Sequence, residues 1–199
     1  MSASAKPSLL SLYLAELAAH PLRTKAITSS VLAGLQEFTA QKLSGAKSPN
    51  QSGPVDKRVV QMAAYGFLVS GPLNHVLYDI LNRVFAGKTG PKAKLLQLLA
   101  SNLIISPIFN CVYISAMAII AGARSPHQIV NAVKNGWFRM QRVSWVISPI
   151  TMTFAQNFLP PHTWVPFFNL VAFVFGTYMN TMIKKRQIKA AEEARGKKQ

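Results

Sequence analysis

The chain has 199 residues, of which 50% are hydrophobic and 14% charged, against about 25% charged in an ordinary soluble domain, so too few charges remain to cover a water-facing surface. Its 22 Lys and Arg against 6 Asp and Glu give a formal +16. The basic residues are grouped between long uncharged stretches, with no helix-turn-helix, zinc-finger or RNA-binding signature, which points to an anionic membrane surface and excludes nucleic acid as the partner.

Residues 1–22 are not a secretory signal, because they lack an early basic region and are interrupted by Glu16, His20 and Pro21. They are also too poor in Arg for a mitochondrial transit peptide. Residues 26–41 are apolar but carry Gln36 and Glu37 in their interior, and read either as a span or as an amphipathic helix in the interface. Residues 44–57 collect Gly, Ser, Pro, Asn and Gln and form a loop. Residues 59–81 are uncharged up to Asp79 and form a span, followed by a turn at Gly87-Lys88-Thr89-Gly90-Pro91. Residues 95–123 are 29 without a charge, with Pro107 expected to kink the helix. The lone cysteine, Cys111, lies within them; it allows no intramolecular disulfide and reads as a small apolar residue.

Ser125 and Pro126 have the character of an N-cap and first helical position. The helix they open places Ile129, Val133, Trp137 and Met140 at three- and four-residue spacing, and reads as an interfacial amphipathic helix. Residues 143–183 are 41 without a charge. One span needs about 20 residues to cross a hydrocarbon core of roughly 30 Å, so these are two, broken at Leu159-Pro160-Pro161-His162. The arms are 143–158 and 163–183, the first being short unless it extends back past Arg142.

The fold class is therefore all-α, a membrane helical bundle of four spans with a weaker N-terminal hydrophobic segment. Residues 1–25 form a cytosolic segment, 26–183 the bundle and 184–199 a basic cytosolic tail. Four spans put 18 basic residues on one side and 4 on the other, with both termini cytosolic. If 26–41 also spans, the division is 15 against 7, and the C-terminus remains cytosolic. Lys184, Lys185, Arg186 and Lys189 read as a topogenic anchor against anionic headgroups.

Polar residues within the spans carry the candidate chemistry. Gly66 and Ser70 are small residues four apart, a spacing for close helix approach. Gly71, His75 and Asp79 make a second row, with His75 placed to pair with Asp79 one turn on. Asn74, His75, Tyr78, Asp79, Asn102, Asn110, Gln156 and Asn157 read either as a polar pathway or as interhelical hydrogen-bonding groups. No catalytic motif, phosphate loop, dinucleotide fingerprint or metal-ligand spacing is present, so the expectation is a non-enzyme with no catalytic residue, cofactor or metal.

Several motifs resemble the 22 kDa peroxisomal membrane protein family, also called the Mpv-seventeen family. Tyr13, Leu17, Pro21 and Lys25 stand at the four-residue spacing of its opening. Gly34-x-x-Glu37-x-x-x-Gln41, Asp56-x-Arg58, Tyr65-Gly66 and Gly71-Pro72-x-x-His75-x-x-Tyr78-x-x-Leu81 are similar to its first two hydrophobic segments, and Leu159-Pro160 and Tyr178 to its C-terminal part. The chain departs from the pattern at Asn82, Ser148, Trp164 and Phe175, as a divergent branch would. The resemblance implies a four-span peroxisomal protein that forms or modulates a channel for small solutes. It leaves open a non-conducting organising protein, or a member in the mitochondrial inner membrane. It implies that Tyr13, Leu17, Pro21 and Lys25 act in targeting, with peroxisomal membrane-protein import factors as partners, and it leaves homo-oligomers open.

Overall fold

The computed structural model describes residues 8–45, 56–88, 90–160 and 163–196. Every regular element among them is helical. The loop expected at 44–57 falls largely outside these residues, as do Thr89, Pro161 and His162 of the two expected turns.

The elements are α1 (Leu9–Ala19), α2 (Pro21–Ser44), α3 (Lys57–Tyr65), α4 (Gly71–Val84), α5 (Pro91–Ala100), α6 (Ser106–Ile120), α7 (Pro126–Phe158) and α8 (Trp164–Gly196). A π turn, Gly66–Ser70, joins α3 to α4, and a second, Ser101–Ile105, joins α5 to α6. Each stands directly before a proline, Pro72 or Pro107. Proline has no N–H to donate, and its ring collides with the carbonyl four residues back. Shifting the preceding bonds to the i→i+5 pattern opens that turn: Gly71 N–H reaches the Gly66 carbonyl and Ser106 N–H the Ser101 carbonyl. Pro107 is thus absorbed within one long helix.

The first π turn also resets which glycines share a face. Gly66 and Gly71, five apart, both meet α2: a methyl on Gly66 would lie 2.4 Å from the Ser29 carbonyl oxygen, and one on Gly71 2.5 Å from Ala26 Cα. The close-approach pair is therefore Gly66 and Gly71, with Ser70 turned to a partly buried position.

One expectation is corrected. Residues 126–142 are not a separate interfacial helix; they run without a break into the hairpin arm as the 33 residues of α7. The Ser125 side chain and that of Gln128 cap its start reciprocally, while Trp137 and Gln141 turn inward onto α6. At 1.5 Å per residue α7 is roughly 50 Å long. Residues 26–41 lie within the 24-residue α2, which packs chiefly on α8 and α3 and buries Ala33, Gly34, Glu37 and Ala40. It is a full member of the bundle.

The bundle holds five antiparallel rods. Along α2, Gly34 meets Ala63, Ser29 meets Gly66 and Ala26 meets Gly71, so α2 and α3–α4 run in opposite directions. Asn82 bonds Gln97 across the next turn, Asn110 bonds Gln141, and Phe154 stacks on Phe167, each a further reversal. An odd number of rods leaves α1 and the end of α8 at opposite ends. By length and apolar composition, two helices among the described residues, Lys92–Ile120 and Pro166–Arg186, are long and apolar enough to cross a membrane.

Candidate functional site

Two features separate along the bundle: a buried ionic cluster at one end and a polar cavity toward the other. The cluster centres on Glu37, which is 0% exposed. Lys184 Nζ lies 2.6 Å and Arg58 Nε 3.1 Å from Glu37 Oε1. Gln41 Nε2 donates to the same oxygen at 3.2 Å and to Asp56 Oδ2 at 3.1 Å. Asp56 in turn caps α3, accepting from the Arg58 N–H at 3.2 Å. An unpaired charge at this depth would be costly; two acids and two bases balance it and tie α2, α3 and α8 together. Beside it, Met62, Tyr65 and Met117 form an apolar plug. Tyr65 meets Tyr113 edge-on, and Tyr113 donates to Asn180 Oδ1. This end of the bundle is closed.

Toward the other end, where α7 and α8 touch only sparingly, a cavity of about 620 Å³ opens. α1 contributes Tyr13 and Leu17, α2 Lys25, Thr28 and Ser29, α4 Asn74 and Tyr78. α7 contributes Ser144, Ser148 and Thr151, and α8 Asn169 and Phe175. A second cavity of about 300 Å³ shares Asn74, Tyr78, Ser101 and Ser148 and adds Asn102. The cavities are lined mainly by hydroxyls, amides and apolar side chains; among the described residues Lys25 is the one charged residue in the larger lining.

The wall between α6 and α7 is built by the second π turn. With Ser106 N–H taken by Ser101 and no N–H on Pro107, the Asn102 carbonyl lacks a helical partner. Trp145 Nε1 donates to it at 3.0 Å and Gln141 Nε2 at 3.4 Å. Gln141, 0% exposed, also donates to Ser106 Oγ at 3.2 Å and accepts from Asn110 Nδ2 at 2.8 Å.

Of the eight residues grouped as a polar pathway, Asn74, Tyr78 and Asn102 come together at the cavities. Asn110 joins α6 to α7 instead. Gln156 and Asn157 are exposed near the end of α7, Asn157 bonding its own helix at 2.8 Å. The expected His75–Asp79 pair does not form: Asp79, partly exposed near the end of α4, pairs with Arg83 at 2.8 Å, and His75 Nδ1 is buried without a hydrogen-bond partner. Of the residues grouped for targeting, Tyr13, Leu17 and Lys25 line the cavity, while Pro21 opens α2. Lys184, grouped with the basic tail, belongs to the buried cluster; Lys185, Arg186 and Lys189 are exposed. Sequence reasoning missed the Glu37–Lys184 tie across 147 positions. The signal was available: a lone carboxylate in an apolar segment requires a cation.

Comparison with known proteins gives a consistent picture. A model of the Mpv17 / PMP22 family matches residues 118–180. The chain is 51% identical to the Woronin body membrane protein wscA of Aspergillus fumigatus, over 94% of this chain and 82% of that protein. It is 48% identical to the Woronin sorting complex protein of Neurospora crassa, over 91% of this chain and 59% of that protein. To peroxisomal membrane protein 2 of Bos taurus it is 30% identical, over 88% of this chain and 89% of that protein. No solved structure matches it.

Proposed function

The chain belongs to the Mpv17 / PMP22 family and is a peroxisomal membrane protein, and from that premise we propose that it organises the membrane of Woronin bodies, which are peroxisome-derived organelles. The carrying observation is the near-complete match, at 51% identity, to a Woronin body membrane protein. The bundle end closed by Met62, Tyr65, Met117 and the Glu37 cluster agrees with a scaffold. Expression in Aspergillus fumigatus lacking wscA tests it. Recovery of Woronin bodies, with the tagged chain on their membrane, is expected; peroxisomal localisation with no recovery refutes the proposal.

A second reading, a passage for small solutes, is favoured by the cavity of about 620 Å³ and its hydroxyl and amide lining. In that reading the plug must open. Proteoliposomes that release small solutes only with the protein present would support it, and tight vesicles would count against it.

We also propose that α2 crosses the bilayer with the other four rods. The C-terminus is then cytosolic, following the division of 15 basic residues against 7, and α1 faces the organelle interior.

A further inference from the structure

The larger cavity has the make-up of a ligand site, independently of whether the bundle conducts. Its volume of about 620 Å³ falls in the range of small-molecule pockets, roughly 300–1,000 Å³. Among the described residues Lys25 is the only charged one lining it, and its side chain makes no ion pair or hydrogen bond with the others. Lys25 is half-buried, so an anion entering the cavity would meet a positive charge that no described carboxylate already neutralises.

The surrounding groups point the same way. Tyr13 OH accepts from Thr28 Oγ1 at 3.4 Å and Asn169 Nδ2 at 3.5 Å, which leaves its own proton to donate. Ser29, Asn74 and Ser148 line the cavity, and their side chains make no hydrogen bond with other described residues, so those donors are also free. Among the described residues no arginine fork and no second cation lines the cavity, so a dianion or a phosphate would be left with uncompensated charge. The rest of the wall is apolar, with Leu17, Leu98, Ile147, Met152, Phe168 and Phe175.

We infer that this cavity binds a small organic monocarboxylate, its carboxylate held by Lys25 with Tyr13 and the free hydroxyl and amide donors, and its short hydrocarbon body against the apolar wall. α1 contributes Tyr13 and Leu17 to the site.

The test is binding of sodium butyrate to the full-length protein in nanodiscs, measured by calorimetry, beside butyramide, a neutral compound of nearly the same shape. Saturable butyrate binding, with butyramide weaker by about tenfold or more, is expected, since a hydrogen bond to a charged group contributes roughly 1.5–3 kcal/mol. Lys25→Gln should abolish the difference between the two probes, and Lys25→Arg should keep it. The Lys25 side chain makes no ion pair or hydrogen bond with the other described residues, so Lys25→Gln should leave the melting temperature in the absence of ligand unchanged, which separates loss of the site from misfolding. Equal binding of the two probes, no butyrate binding, or a Lys25→Gln protein that still discriminates would each overturn the inference. Butyrate flux in proteoliposomes bears on the passage reading alone: binding without flux defeats the passage and leaves the site standing.

Discussion

Gly66→Ala is the sharpest test of the packing described above. An added Cβ would lie 2.4 Å from the Ser29 carbonyl oxygen, 2.7 Å from the Ser29 carbonyl carbon and 2.7 Å from Ser30 Cα. All three are backbone atoms of α2, so no side chain can swing aside. Ordinary contact begins at 3.4 Å, and the two rods must therefore part by about 1 Å. A gap of that size forfeits a quarter to a half of the dispersion attraction along the seam, and overpacking of this kind costs about 1–3 kcal/mol. Ala gains back about 0.5–1 kcal/mol over Gly through its helix preference. For a chain of this length a net loss of about 1–2 kcal/mol lowers the melting temperature by roughly 2–8 °C. Thermal unfolding of purified protein in detergent micelles measures it. Gly136→Ala is the control, because its Cβ would meet only the end of the Ile114 side chain at 3.4 Å, and it should melt at or slightly above the parent temperature. If Gly66→Ala melts with the parent and Gly136→Ala does not, the α2 seam is not where the structure puts it.

Two further outcomes follow from the ionic cluster and the rod count. Glu37→Gln strands Lys184, which is 5% exposed, and should cost roughly 3–5 kcal/mol, read as early loss of protease resistance on heating. Adding Lys184→Met to Glu37→Gln should recover part of that loss, whereas Lys185→Met, on an exposed residue, should change nothing; equal effects at 184 and 185 would sink the buried pair. Tags placed in turn at the two termini of the organelle-bound protein should differ in protease access, the C-terminal tag being digested and the N-terminal one protected. Digestion of both tags on sealed organelles would remove α2 from the set of crossing rods and restore the four-span arrangement.

Composition and charge spacing alone determined that this is a helical membrane protein with a basic C-terminal end, because a bilayer admits uncharged runs of span length and little else. The reciprocal cap at Ser125 and the place of the break at Leu159-Pro160 were also legible, since both depend on residues within a few positions of each other. Periodicity failed where the helix itself changed pitch. A row counted at four-residue spacing joined Gly66 to Ser70, but the π turn that makes room for Pro72 puts Gly71 beside Gly66 instead. It failed again at 126–142, where the charged residues suggested a surface helix although the opposite face carries Trp137 and Gln141 into α6. Only the tertiary structure decided the partners of the buried charges. Glu37 and Lys184 are 147 positions apart, and nothing local to either distinguishes Lys184 from the exposed Lys185 beside it. The same holds for the cavity: Tyr13, Lys25, Asn74, Ser148 and Asn169 come from five helices. They share a site because α1 joins α2 at the end away from Glu37, and the folding of the rods brings α4, α7 and α8 to that same end.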